Sequence, residues 1–354
     1  MWVAEMKDIS SQLIDRVKQA VADKSPLRIV GNDSKAFMGR QPKGDPVSIA
    51  PHQGVVEYEP TELVISVRAG TTIADLDAEL ASHSQYLGCE PPRDANATVG
   101  GTLACNLSGP GRPWIGSIRD HVLGIRMING TGEQLRFGGR VMKNVAGYDV
   151  SRLQAGAMGC LGIITEVTLR VYPLPQHQTT IMQPMGEAEA IETMNRESLR
   201  GGPLSAACWV DDCLYLRFSG NEAAVRSRSE AIDGDPMESA TDFWTKIRER
   251  KHEFFVGEEP LWRLSTKSAA EPVDEPCLLD WAGAQRWLRG EQELEQRELL
   301  AQRLHGQAAL FRGGDREAEV FHSRTEAQKR VHLALKQAFD PAGIFNPGRL
   351  YGWL

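Results

Sequence analysis

Ala97-Thr-Val-Gly-Gly-Thr-Leu-Ala-Cys-Asn106 and Leu161-Gly-Ile-Ile-Thr-Glu-Val-Thr-Leu169 are the two stretches whose reading decides the fold. The first is a run of small residues around a Gly-Gly pair. The second opens a long β-branched strand that continues to Tyr172. Fourteen of the 34 glycines fall between Gly100 and Gly162, so the backbone there is either forced into positive φ or closely approached by something. Between the two stretches, His121 to Ile128 and Glu133 to Phe137 flank Asn129-Gly130-Thr131-Gly132, a hairpin signal.

Moving toward the N-terminus, Leu63 to Val67 reads as a strand followed by Ala69-Gly70. Thr71 or Thr72 then caps a helix with Ile73, Leu76 and Leu80 on one face and Asp75 near its positive end. Leu27 to Val30 is a short strand stopping at Gly31-Asn32-Asp33-Ser34, and residues 9–21 form an amphipathic helix capped by Ser10 or Asp8. After Pro173–Pro175 the pattern changes. Helices are expected at 187–199, 221–232, 242–254, 291–305 and 322–339, with strands at 206–210, 214–218, 261–265, 278–288 and 307–312. The fold class is therefore α+β, with a first domain over 1–175, a second over 176–320, and a segment 321–354 returning to the first. Five of the eight tryptophans lie between Trp209 and Trp287 and are read as core. His252 with Arg248, Arg250 and Lys251 reads as a solvated helix face.

The 354 residues, 41% hydrophobic and 25% charged, suit a two-domain globular chain. A net charge of -7 has the wrong sign for affinity built on nucleic-acid phosphates. No apolar run reaches the roughly 18 residues a membrane span needs, and Met1 to Lys24 mixes four acids with basic residues, unlike a signal peptide. The six cysteines lack metal or cluster spacing and are read as reduced, cytoplasmic thiols. Gly-x-Gly-x-x-Gly, a Walker ending, Gly-x-Ser-x-Gly and His-Glu-x-x-His are all missing, which removes the simplest Rossmann, P-loop, hydrolase and zinc readings.

What remains are three loops whose exposed N–H groups suit a phosphate: Gly31 to Ser34, Ala97 to Asn106, and Gly147-Tyr148-Asp149 with Gly156 to Thr165. Each also reads as plain structure, the first as a tight turn and the second as a small-residue packing bend. Their order and spacing, together with the tail Asn346-Pro-Gly-Arg-Leu350, resemble the flavoprotein family with the vanillyl-alcohol oxidase (PCMH) type FAD-binding domain. Within that family the likeness is to FAD-binding subunits of bacterial glycolate oxidases.

The resemblance implies a two-subdomain FAD-binding domain, a smaller α+β cap and a tail that packs back. It implies that Gly31, Asn32, Asp33 and Ser34 hold the FAD pyrophosphate through main-chain N–H groups. Gly100, Gly101, Thr102, Ala104 and Asn106 would lie along pyrophosphate and flavin. Gly156, Gly159, Gly162, Ile163, Ile164 and Thr165 would line adenine and ribitol, and Asn346 would return near the isoalloxazine ring. Arg112 and Lys143 are the cations set against the diphosphate, with surface charge an equal reading for Lys143; Tyr148 stacks near the flavin or is simply buried. No histidine lies between Val30 and Pro51, so FAD is expected to be non-covalent.

Oxidising a hydroxy acid calls for a cation and a base over the flavin. The eight histidines are scattered and no catalytic set is legible. The implied function is an FAD-carrying subunit of a glycolate-oxidising complex, needed for activity without carrying the main substrate site. Its partners would be a larger FAD-linked subunit and an iron–sulfur subunit, and it would sit peripheral to the inner membrane. A self-sufficient FAD dehydrogenase for a 2-hydroxy acid or alcohol is the alternative reading. A flavin-free assembly subunit is another, with Asp33 in the phosphate loop as its hint.

Overall fold

The computed structural model of the chain describes residues 7–93, 96–139 and 149–354. Five antiparallel strands form the sheet of the N-terminal half, in the order Val55–Glu59, Val64–Arg68, Ile163–Arg170, Val122–Ile128, Gln134–Gly138. The Ile163–Arg170 strand lies at its centre, which explains why its β-branched run is almost wholly buried. Helices Ile73–Ala81 and Val99–Cys105 begin at Thr72 and Thr98, whose hydroxyls accept the N–H groups of Asp75 and Gly101. Leu76, Leu80 and Leu103 then pack with Ile65, Val67, Ile163 and Val167 into one core.

Ahead of this sheet, helix Ser10–Asp23 leads into Leu27–Val30, which pairs in parallel with Asp45–Ser48. Ile9 takes the cap position; Asp8 contributes by accepting the Ser10 N–H at 2.9 Å. The C-terminal tail lies along the other edge of Leu27–Val30: Leu27 donates to the Ile344 carbonyl and Asn346 donates to that of Leu27.

Residues 177–312 build a separate eight-stranded sheet. Helices Glu187–Leu199, Glu222–Glu230 and Leu294–Arg303 cover one face around Trp209, Trp262 and Phe218. The opposite face buries Trp244, Trp287 and Phe311 against Met38, Leu107 and Met158 of the N-terminal half.

Two expectations need correcting here. The strand read over 278–288 is two antiparallel strands, Cys277–Asp280 and Gln285–Arg289, because Trp281 and Ala282 both adopt left-handed backbone (φ 55° and 55°) and reverse the chain. The residues read as a solvated helix face instead terminate helix Ala240–Glu249. Arg250 sits in the left-handed region with its guanidinium over Trp287 and Phe311, and half-buried His252 caps the turn Glu253–Phe255.

Candidate cofactor-binding site

The chain leaves strand Leu27–Val30 through Gly31-Asn32-Asp33-Ser34. The backbone N–H groups of these four residues find no acceptor among the described residues, although they line a narrow groove of about 90 Å³. Consecutive free N–H groups make an anion cradle. Asp33, in left-handed backbone, turns its carboxylate onto the Arg28 guanidinium at 2.9 Å, so its charge is matched within the loop. Lys35 and Arg349 add cationic character to the same groove. Arg349 is fixed by donating to the carbonyls of Lys35 (3.0 Å) and Arg40 (3.2 Å), and burial lowers its pKa.

The second small-residue loop has a different job from the first. Helix Val99–Cys105 spends its leading N–H groups on the protein: Val99 donates to Thr71 O, Gly100 to Ala69 O and Gly101 to Thr98 Oγ1. A Cβ on Gly100 would lie 2.7 Å from Ala69 Cβ and one on Gly31 would lie 2.4 Å from Thr98 Oγ1. One on Gly162 would meet Met127 at 2.3 Å and one on Gly159 would meet Asn346 at 2.6 Å. These four glycines let protein segments close on one another. Gly101 is the one whose missing side chain leaves groove space free, its only near neighbour being its own capping hydroxyl at 3.0 Å.

The remaining positions divide by depth. Ala104 and Ile164 line the groove, whereas Thr102, Ile163 and Thr165 are buried behind it and join helix to sheet. Asn346 lines the groove while both ends of its amide are committed, accepting from Ile29 N (2.8 Å) and donating to Met158 O (2.6 Å); it staples the tail to both loops. Lys143 and Tyr148 lie outside the described residues.

Cys105 and Met158 are shared between the groove and a wider cavity of about 410 Å³. Asn106 and Gly156 open onto this cavity, and so does Arg112, which therefore stands apart from the groove cations. Arg263, Arg324 and His332 reach the same space, and among the described residues no acidic side chain lines it. Burial pushes the Cys105 thiol up and, with Arg324, the His332 imidazole down. A narrow cradle of free N–H groups with cations beside it, opening into a wider cavity, fits a diphosphate joined to a planar ring system such as FAD. Phosphate and ring would then fall in adjoining spaces of matching chemistry.

Comparison with known proteins agrees with this geometry. Residues 8–138 match the FAD binding domain family. Over 350 residues, covering 98% of this chain and 99% of the relative, the sequence is 44% identical to glycolate oxidase subunit GlcE of Escherichia coli. The chain belongs to the GlcE family of glycolate oxidase subunits. Shorter likenesses link the chain to further proteins. A D-lactate dehydrogenase of Anaerostipes hadrus is 32% identical over 143 residues, 40% of this chain and 30% of that one. Glycolate oxidase subunit GlcD of Bacillus subtilis is 30% identical over 128 residues, 36% of this chain and 27% of that one. A solved structure of an alkyldihydroxyacetonephosphate synthase shares the fold, with TM-score 0.65 at 15% identity over 95% of this chain and 75% of the other.

In this member of the GlcE family, sequence reading missed Arg28, Lys35 and Arg349 as groove cations. Arg28 and Lys35 flank the first loop and were open to notice; Arg349 comes from the far end of the chain. Arg263, Arg324 and His332 carry no local signal, since only the folding of three distant segments gathers them. Among the described residues, no cluster of His, Cys, Asp and Glu could hold a metal, and no helix is long and apolar enough to cross a membrane.

Proposed function

We propose that this chain is the FAD-carrying subunit of a multi-subunit oxidase that converts glycolate to glyoxylate. The observation that carries the proposal is the run of four acceptor-free N–H groups at Gly31 to Ser34, beside Arg28, Lys35 and Arg349, at the mouth of the 410 Å³ cavity. The N–H groups and these cations hold the diphosphate, Gly101 leaves it room, and Asn106 and Gly156 border the ring. Bound FAD supplies a two-electron acceptor; the chain's own contribution is to position it and keep water from the narrow groove. Attachment is non-covalent: among the described residues no histidine lines the groove, and the Cys105 thiol is held neutral by burial.

The division into a flavin-binding part over 1–175, a cap over 176–320 and a tail over 321–354 belongs to the same proposal. It is supported by the two separate sheets and by the tail strand beside Leu27–Val30. The names of the relatives, GlcE and GlcD, support assembly with a larger FAD-linked subunit. The chain's cysteines lack cluster spacing, so electrons leave through a partner of iron–sulfur type, and any contact with the inner membrane is peripheral and made through partners.

The test is the absorbance spectrum of the purified chain followed by acid precipitation. A near-stoichiometric FAD spectrum in the supernatant is expected. Colour retained in the pellet would overturn non-covalent attachment, and a colourless protein that takes up no added FAD would overturn the flavin-carrying role.

A further inference from the structure

A surface helix ordinarily turns an apolar stripe toward the core. Helices Ser10–Asp23, Ile73–Ala81 and Glu187–Leu199 do so with Leu13 and Val17, Leu76 and Leu80, and Ile191 and Met194. Helix Glu326–Phe339 buries Lys336 alone. Its residues Ala327, Val331, Ala334 and Ala338 recur at alternating spacings of four and three, so they share one side of the helix, and all four are exposed. Val331 keeps 58% of its surface open and Leu333 46%. This is no frayed end. The Thr325 hydroxyl accepts the Gln328 N–H at 3.3 Å, the Gln328 side chain accepts the Thr325 N–H at 3.0 Å, and Lys336 ties the last turn to Cys160 O and Phe345 O. The helix is firmly held and still presents an apolar side to solvent, where the three alanines would let another protein backbone come close to Val331.

The inner side of the same layer is a wall of the wider cavity. His332 and Leu335 from the helix and Tyr351 and Leu354 from the tail line it. Tyr351 stacks on half-buried Trp353 with ring centroids 4.8 Å apart, and His332 lies 5.9 Å from both rings. One helix, about 10 Å across, therefore separates the space assigned above to the ring system from the exposed side, a thickness that electrons cross by tunnelling. Charge also distinguishes this face. In a chain of net charge -7, Glu326 is the only acid on the helix before Asp340, and it is matched by Lys329 at 2.8 Å. Arg330 is exposed and makes no ion pair with any described residue. Arg324, just ahead of the helix, donates only to neutral acceptors, the Tyr351 hydroxyl at 2.6 Å and the Gln307 side chain at 3.2 Å.

We infer that the exposed side of helix Glu326–Phe339, with the tail residues 351–354, is where this chain docks a partner protein that carries a thiolate-ligated iron–sulfur cluster. A cluster held by cysteine thiolates is anionic, which suits a face with unmatched arginines. An apolar centre at Val331 with a charged rim has the anatomy of a specific interface. The position suits the role as well, since a partner seated here lies across one helix from the cavity. The partner's oxidised clusters take the two electrons of reduced FAD, one each, and two protons go to water. The inference rests on the flavin reading above for the electron transfer and not for the docking itself, which lets the two be tested apart.

The experiment uses the assembled complex, purified through an affinity tag on this chain after co-production with its partner subunits. Iron and FAD are measured per chain, by metal analysis and absorbance. Wild type is expected to retain iron. Val331→Glu places a good helix former at an exposed position, so FAD content and melting temperature should stay unchanged, while retained iron falls about tenfold or more. Arg330→Glu is expected to retain less iron than wild type at low salt, with the difference narrowing as salt screens the charges. Leu199→Glu alters a residue 88% exposed at the end of helix Glu187–Leu199 and should retain iron like wild type. Wild-type iron retention in Val331→Glu, equal loss in Leu199→Glu, or a wild-type complex without iron would each overturn the docking face. Iron lost on Val331→Glu from a complex that contains no FAD would sustain the face while removing the flavin reading.

Discussion

Lys336 is the one buried residue of helix Glu326–Phe339, and its replacement by Met offers a quantitative test of how the tail is fastened. Its ammonium donates to Asp340 Oδ2 (2.7 Å), Cys160 O (2.8 Å) and Phe345 O (2.7 Å), which uses all three of its donors. The pair is shielded, with side-chain exposures of 10% and 0%. Asp340 in turn accepts the N–H groups of Ile344 (3.1 Å) and Phe345 (2.8 Å). Lys336→Met has nearly the same shape and removes the cation, leaving a buried carboxylate and two unpaired carbonyls. Breaking a buried pair from one side costs about 3–5 kcal/mol. Asp340→Asn keeps an acceptor and loses the charge, so the double variant is expected to be less destabilised than the two single changes together, with a coupling of about 1–3 kcal/mol. Equilibrium urea unfolding of the four proteins measures this. Because Phe345 and Asn346 follow immediately, Lys336→Met should also release FAD more readily than wild type. A loss below about 1 kcal/mol, the range of an exposed ion pair, would refute the reasoning.

Adjacent glycines of the small-residue loop should behave differently. Gly100→Ala drives a methyl to 2.7 Å from Ala69 Cβ and 3.0 Å from Ala69 O, an overpacking cost of about 1–3 kcal/mol that a melting curve will show. Gly101→Ala displaces only the Thr98 hydroxyl, leaves stability nearly unchanged and lowers FAD affinity; equal effects at both positions would contradict the division of roles. Burial raises the Asp280 carboxyl to about 7. Between the unfolded value near 4 and that pH the folded state keeps a proton the unfolded chain has lost, so this group's contribution to stability is greatest at the acidic end. It declines as pH rises through the window by about 4 kcal/mol at most. Asp280→Asn should remove that decline, seen as a smaller loss of stability than wild type between pH 5 and pH 8 in urea unfolding. Parallel curves for the two proteins would show that Asp280 does not titrate in this range.

Several features of the fold and site were readable residue by residue. A threonine cap at Thr71 or Thr72, which the structure places at Thr72, and the turn at Asn129 to Gly132 follow from side chains acting on backbone one to three positions away. The loop at Gly31 to Ser34 was likewise visible as an interruption of a β-prone run, and its order relative to the Gly-Gly loop and the Asn346 tail carried the family resemblance. Composition and periodicity sufficed for the α+β class, since alternation and helical spacing are local properties of the chain.

The purpose of each small residue could not be read in the same way. Gly100 and Gly162 are small because other parts of the protein occupy the space beside them, while Gly101 leaves the groove open, and the three look identical in a string of letters. The strand read over 278–288 breaks at Trp281 because the Gly109 carbonyl and the Arg112 guanidinium are available to hold its ring in left-handed backbone. Local propensity alone opposes that conformation. Arg112, Arg263 and His332 belong to segments far apart in sequence, and what joins them is the packing of two cores and a returning tail. The sequence alone determined which segments become helices, strands and anion-ready loops, because those preferences act between near neighbours. The meeting of charges in the cavity was decided only in the tertiary structure, because it depends on which buried surfaces close against each other.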